Sequence, residues 1–317
     1  MIDVHHHVLP SFYMEAIRGA GFDRSGGIVF PEWRAEDSLR VMDGHGVDTA
    51  VVSVSTPGVA FLDDPAARRD LARRANDWTA ALIAAHPGRF AGLATLPLPD
   101  VDASLDEIAH ALGALRLDGV TLLASAGGRY LGDAVFEPVV AELDRRAAVA
   151  FVHPTTPPGA PLPGLNVPTF AIEFVADTTR AIAQLILSGT LERHRRVTFV
   201  CAHAGGFAPY ITDRLEAAWQ RVAEYQARGP AGPLAYLRAL RYDTAASANP
   251  FTLPALLALA GPEAVLLGTD YPFVAEAAVG RTLAGAAASP ALDDVGRALV
   301  TGGNARQIYR SLRRTSA

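Results

Sequence analysis

Eight short apolar runs, each followed by a helix-length or loop segment, constrain this chain more than any other feature. Brief runs rich in β-branched residues read as strands buried on both faces, and such strands need helices to cover them. The runs are Ile2–His6, Thr49–Val54, Arg89–Leu96, Gly119–Ser125, Ala148–His153, Arg196–His203, Leu240–Ala245 and Ala264–Asp270. Helices are expected over Arg34–Gly46, Asp64–His86, Asp102–Leu115, Pro138–Ala147, Ala171–Gly189, Pro209–Arg228, Pro254–Leu259, Glu276–Ala287 and Asp293–Tyr309. Strands alternating with helices imply an α/β fold with a parallel sheet, closed as a (β/α)8 TIM barrel or open and doubly wound. No G-x-G-x-x-G follows the first run, which weakens the dinucleotide-binding version of the open sheet.

Pro10–Trp33, with four glycines, and Pro154–Phe170, with six prolines, read as insert loops and candidate lids. No repeat or domain boundary is evident, so residues 1–317 are expected to form one domain. Half the residues are hydrophobic, the formal net charge is -5, and no basic tract occurs, which argues against nucleic acid. No apolar run reaches membrane-spanning length. With Cys201 alone there is no internal disulfide, and a cytoplasmic setting is expected. All 28 basic residues are arginine. That excludes a Schiff-base lysine and a lysine carbamate bridging two metals. A metal site here should be mononuclear unless a carboxylate replaces the carbamate.

In a closed barrel, chemistry sits at the C-terminal ends of the strands. The first run carries Asp3, His5 and His7, which strict alternation places on one face, with Val4 and His6 on the other. The fifth run ends in His153, the sixth in His203 and the eighth in Asp270. Four histidines and a carboxylate on one rim suit a metal ion with an open coordination position. A single histidine at a strand end is more often a hydrogen-bonding residue, but coincidence across four ends is implausible. His45, His86, His110 and His194 lie in helices or at their ends, and His6 should face the barrel wall or a helix. Alternation puts Cys201 on the face of His203, as a buried structural thiol rather than a nucleophile.

D-V-H-H-H-V-L-P at the start, F-V-H-P at 151–154, A-H-A-G-G at 202–206, G-T-D-Y-P-F at 268–273 and G-N-A at 303–305 resemble, as an ordered set, the amidohydrolase-2 branch of the metal-dependent amidohydrolases. That branch includes aminocarboxymuconate-semialdehyde, resorcylate and 6-methylsalicylate decarboxylases. The resemblance implies His5, His7, His153 and Asp270 as ligands of one divalent metal, with His203 as the nearby acid/base. Arg214 matches an arginine that reaches the substrate carboxylate of a neighbouring subunit, which implies a homodimer; a helix-surface charge is the other reading. Arg180 also fits a family pattern, although an ion pair with Asp177 or Glu173 accounts for it. Val29-Phe30 is followed by Pro31-Glu32-Trp33 rather than by a second carboxylate-binding arginine. This departure points away from aminocarboxymuconate and toward the 6-methylsalicylate type. Trp33 then reads as an apolar wall for a flat ring, or as a core residue at a helix start, and Phe207 as a second wall.

The expected reaction is non-oxidative decarboxylation of a small ortho-hydroxylated aromatic acid, with Asp270 or His203 handling the proton. Zinc is the expected ion, and manganese is compatible with the same donors. The rival is metal-dependent hydrolysis of an ester, lactone or amide, since the same ligands can activate water.

Overall fold

The computed structural model describes residues 1–159 and 166–313. Eight strands form one sheet in the order of the chain: β1 (Ile2–Val8), β2 (Thr49–Val54), β3 (Phe90–Thr95), β4 (Gly119–Leu123), β5 (Val149–His153), β6 (Thr198–Cys201), β7 (Arg241–Asp243) and β8 (Val265–Leu266). All seven neighbouring pairs are parallel. The ring closes between the last strand and the first. Val4 N–H donates to Leu267 O at 2.8 Å, Asp270 N–H to His5 O at 2.8 Å, and His7 N–H to Tyr271 O at 2.7 Å. The fold is a (β/α)8 barrel.

The barrel interior is a dry layer of Ile2, Val4, Val51, Leu93, Phe151, Val200 and Leu266. Tyr309 and Leu312 of the C-terminal segment join this layer. Alternate strand residues face outward into the helix layer. Val52 and Val54 pack in one cluster with Val41 and Met42 of α2 (Ala35–His45) and with Leu71 and Ala75 of α3 (Pro65–Ala85). Asp64 caps α3, its carboxylate accepting from Ala66 N–H at 3.1 Å and Ala67 N–H at 3.3 Å, with Pro65 in the first turn. Gly46 ends α2 in the left-handed conformation, φ 67°.

Several segments differ from the sequence expectation. Pro10–Trp33 is not irregular throughout: it contains the helix α1 (Ser11–Gly19), which buries Phe12, Tyr13, Met14 and Ile17, and a hairpin pairing Arg24–Ser25 with Ile28–Val29. The helix expected over Pro209–Arg228 is two, Thr212–Arg221 and Ala223–Arg228, broken where Val222 turns extended. The Gln226 amide donates to the Trp219 and Gln220 carbonyls freed by the break. The helix expected over Asp293–Tyr309 is interrupted at Gly302, whose φ of 167° is extended. A helix at Pro233–Ala239 was not expected. Residues 160–165 of the Pro154–Phe170 stretch lie outside the described residues.

A β-bulge in β1 changes which side chains face the interior. The register shifts between Asp3 and His6. Val4 therefore faces inward with Ile2, and His5 and His7 still project into the barrel. Asp3 and His6 share the outer side, where the His6 ring contacts Asp3 Oδ2 at 3.1 Å and Ser38 Oγ of α2 at 3.0 Å. Strict alternation fails here because a bulge adds one residue and flips the face of everything after it.

Candidate metal centre

Four side chains from two strands, β1 and β5, and the loop after β8 converge at the C-terminal mouth of the barrel. One ligand atom each from His5, His7, His153 and Asp270 lies within 4.8 Å of the others. His5 Nε2 and His7 Nε2 are 3.0 Å apart, and Asp270 Oδ1 lies 3.3 Å from the first and 3.2 Å from the second. All three imidazoles are buried, and Asp270 keeps 18% of its side-chain surface exposed.

The tautomers follow from the partners. His5 Nδ1 donates to Asp243 Oδ2 at 2.6 Å, His7 Nδ1 to Ser53 O at 3.3 Å, and His153 Nδ1 to Pro154 O at 2.8 Å. A carbonyl or carboxylate oxygen only accepts, so each Nδ1 carries a proton, with Ser53 Oγ as a second acceptor 3.3 Å from His7 Nδ1, and each Nε2 faces the cluster. Two Nε2 atoms 3.0 Å apart need a proton or a metal ion between them. Donor atoms on a zinc-sized ion at about 2.0–2.1 Å sit roughly 3.3 Å from one another, which matches the separations among His5, His7 and Asp270. The donor set therefore fits a divalent metal, and the carbonyl and carboxylate partners orient it in the way metal-bound imidazoles usually require.

Electrostatics agree with that fit. Burial opposes a charged His5, but Asp243 and then Asp270 outweigh it and push its pKa up to about 10. Burial and the neighbouring His5 charge hold His7 below its usual value, and burial together with the other imidazoles holds His153 well below. Burial alone would raise Asp270, yet His5 and His7 keep it well below the usual carboxylate range. The site thus concentrates negative charge around a position where a metal ion can replace a proton.

His203 stands beside this set without belonging to it. Its ring centroid is 5.0 Å from that of His5 and 5.9 Å from that of His153. Its Nδ1 donates to Ala245 O at 3.2 Å, which leaves Nε2 as the atom that can take up or release a proton. β6 ends at Cys201, and His203 has φ 53°, so the backbone has already left the strand. Alternation for that reason does not pair His203 with Cys201: the thiol packs in the outer cluster with Ile182 and Leu185, and burial raises its pKa. His203, Ala204, Ala246 and Asp270 all hold a positive φ around this mouth, a local concentration of disfavoured backbone that marks a functional site more often than a structural one.

The centre opens into a cavity of about 540 Å³, within the usual range for small-molecule sites. His153, His203 and Asp270 line its floor, and Ile28, Phe170, Phe174, Val175 and Phe273 form apolar walls. Arg281 also lines it. Trp33 and Phe207 do not. Trp33 stacks edge-on against Trp78 and donates to Ser38 Oγ at 2.9 Å, and Phe207 is 41% exposed. Arg214 is exposed on the helix Thr212–Arg221. Arg180 lies 3.9 Å from Glu173.

The sequence model of the amidohydrolase family matches residues 2–311. The chain belongs to the amidohydrolase family. It is 38% identical over 277 residues to a 6-methylsalicylic acid decarboxylase of Aspergillus aculeatus, covering 86% of this chain and 84% of that one. A 6-methylsalicylic acid decarboxylase of Penicillium expansum is 36% identical over 274 residues, again 86% and 84%. Among solved structures, the 5-carboxyvanillate decarboxylase of Sphingomonas paucimobilis superposes with a TM-score of 0.87 at 25% identity, covering 98% of each chain.

Two residues of this amidohydrolase's centre were not anticipated. Asp243, at the end of β7, is fully buried against His5. Its cue was weaker than that of Asp270, because the expected strand Leu240–Ala245 runs past it. Gly268 is the second. A Cβ at Gly268 would meet His5 Cβ at 2.8 Å and Asp243 Cβ at 3.0 Å, so only glycine lets the segment after β8 pass so close to both. Gly268→Ala is expected to destabilise the fold by about 1–3 kcal/mol, as overpacking does. Purified protein should also retain less metal. Urea melts and metal analysis of the variant check both, and wild-type values in each would refute the close-packing argument.

Proposed function

We propose that this amidohydrolase is a metal-dependent, non-oxidative decarboxylase of a small aromatic acid bearing a hydroxyl ortho to its carboxylate, of the 6-methylsalicylate kind. The observation that carries the reading is a metal-binding donor set and a free imidazole on the floor of a cavity with aromatic walls. The names of the relatives agree with it. Held by His5, His7, His153 and Asp270, a divalent ion supplies Lewis-acid charge and a template for the substrate's oxygen atoms. Phe170, Phe174 and Phe273 take the flat ring and keep water from it. His203, with Asp270 beside it, delivers a proton to the ring carbon that bears the carboxylate. A carbon–hydrogen bond forms there and the ring loses aromaticity. The carbon–carboxylate bond then breaks, its electron pair restores the ring, and carbon dioxide leaves. No electrons are exchanged with an external acceptor.

Zinc is the proposed ion, because the set is rich in imidazole with one carboxylate, both usual zinc donors; manganese accepts the same donors. A homodimer is proposed from the exposure of Arg214, which the family pattern directs at a neighbouring subunit's substrate. One domain over residues 1–317 and a cytoplasmic setting complete the proposal; no helix among the described residues is long and apolar enough to cross a membrane.

The test is incubation of metal-assayed protein with hydroxybenzoic acids, including 6-methylsalicylate, and with aryl esters and lactones. Carbon dioxide from an ortho-hydroxy acid is expected. Chelation should abolish it, and zinc or manganese should restore it. Metal-dependent ester cleavage without carbon dioxide would overturn the decarboxylase reading and leave the metal centre in place.

A further inference from the structure

Asp243 is a fully buried carboxylate at the mouth of the barrel and touches both halves of the site. Its Oδ2 accepts from His5 Nδ1 at 2.6 Å. Its Oδ1 accepts from the backbone N–H of His203 at 2.9 Å and from that of Ala245 at 2.9 Å. Ala245 in turn offers its carbonyl to His203 Nδ1 at 3.2 Å. The carboxylate therefore holds His203 twice, through its own N–H and through the residue that fixes its ring. Neither contact is incidental to packing. The chain at His203 and Ala204 has positive φ, a conformation that needs an outside partner to persist. Gly268 leaves the room for Asp243 and His5 to meet.

We infer that Asp243 is a positioning residue that couples the metal centre to the acid/base: one oxygen fixes the His5 tautomer that can ligate, and the other fixes the backbone that aims His203. The second half rests on the role proposed for His203, whereas the first does not.

Asp243→Asn separates the two halves. The amide oxygen can still accept from the two backbone N–H groups. The amide nitrogen then faces His5 Nδ1 and donates to it, which moves the imidazole proton to Nε2, the ligating atom. Zinc affinity, measured by competition with a chromophoric chelator and no substrate present, should fall about 10–100-fold, the usual range for loss of such a partner. At saturating zinc, kcat should fall clearly less than in Asp243→Ala, since the bonds that aim His203 survive. Asp243→Ala removes both halves, so kcat should fall at least about tenfold even at saturating zinc.

Unchanged zinc affinity in Asp243→Asn would overturn the tautomer half. Full kcat in metal-saturated Asp243→Ala would overturn the His203 half. A kcat of metal-saturated Asp243→Asn as low as that of Asp243→Ala would also overturn that half, because the surviving backbone bonds would then make no difference. Thermal melts establish that each variant is folded. Should Asp243→Ala not fold, the zinc affinity of Asp243→Asn still decides the tautomer half, and Asp243→Leu, which fills the same space without an acceptor, takes alanine's place in the test of the His203 half. The zinc titration stands whatever the substrate proves to be, so failure of the decarboxylase reading and failure of this inference give different results.

Discussion

His203→Ala should bind metal as the wild type does and release carbon dioxide about 10²–10⁴-fold more slowly, the range typical of losing a positioned general acid. The separation follows from geometry. The four atoms that converge come from His5, His7, His153 and Asp270, and His203 contributes none of them. Truncation at Cβ keeps the His203 N–H that donates to Asp243, so the turn after β6 retains its anchor. The His5 ring keeps its own bond to Asp243 at 2.6 Å and hence its ligating tautomer. What disappears is the Nε2 that could carry a proton over the cavity floor. His203→Asn is a useful companion, because asparagine tolerates the positive φ at this position and still cannot shuttle a proton. Metal content and initial rates on the same preparations decide the matter. Full activity in a metal-bound variant would remove His203 from the chemistry, and loss of metal along with activity would make it part of the metal centre.

The barrel and the polar residues at its mouth were legible in the sequence for one physical reason, whereas the division into four ligands and an acid/base came from the family resemblance. Buried parallel strands are short and nearly all apolar, so a polar residue closing one stands out, and in a closed barrel all such ends share a rim. His5, His7, His153, His203 and Asp270 each stood out in this way. Asp243 did so less, because β7 is only three residues long and Asp243 falls between Tyr242 and Thr244 rather than after an apolar run. The bulge in β1 was illegible, since alternation assumes an unbroken pleat and nothing in Asp3-Val4-His5-His6 announces an extra residue.

The cavity walls were hidden for a different reason. Phe170 and Phe174 come from the start of the helix Thr169–Leu187, Phe273 from the turn after β8, and Ile28 from a hairpin. Their meeting is a product of tertiary packing that no local pattern encodes. Trp33, two residues before α2, spends its ring on Trp78 and its indole N–H on Ser38 instead. Ser38 also contacts His6, so Trp33 supports the outer side of β1 rather than facing the cavity.

Asp270→Ala should weaken metal binding and activity together, the opposite signature to His203→Ala. Asp270 Oδ1 faces both His5 Nε2 and His7 Nε2, and Asp270 is the only carboxylate in the donor set. Its removal leaves three neutral imidazoles to hold a doubly charged ion. Losing a residue that merely orients a ligand costs about 10–100-fold in metal affinity, so losing the anionic ligand itself should cost more than ~100-fold. The alanine must also adopt φ 67°, which aspartate accepts more readily, so part of the effect will appear as lower thermal stability. Asp270→Asn isolates the charge, because its amide keeps an oxygen donor and the same backbone tolerance. Chelator competition should therefore rank wild type above Asp270→Asn and Asp270→Ala below both. Adding metal to saturation then separates ligation from chemistry. Activity should stay depressed in both variants, because Asp270 also lines the cavity floor beside His203. Full recovery at high metal would confine Asp270 to ligation and leave the proton to His203 alone.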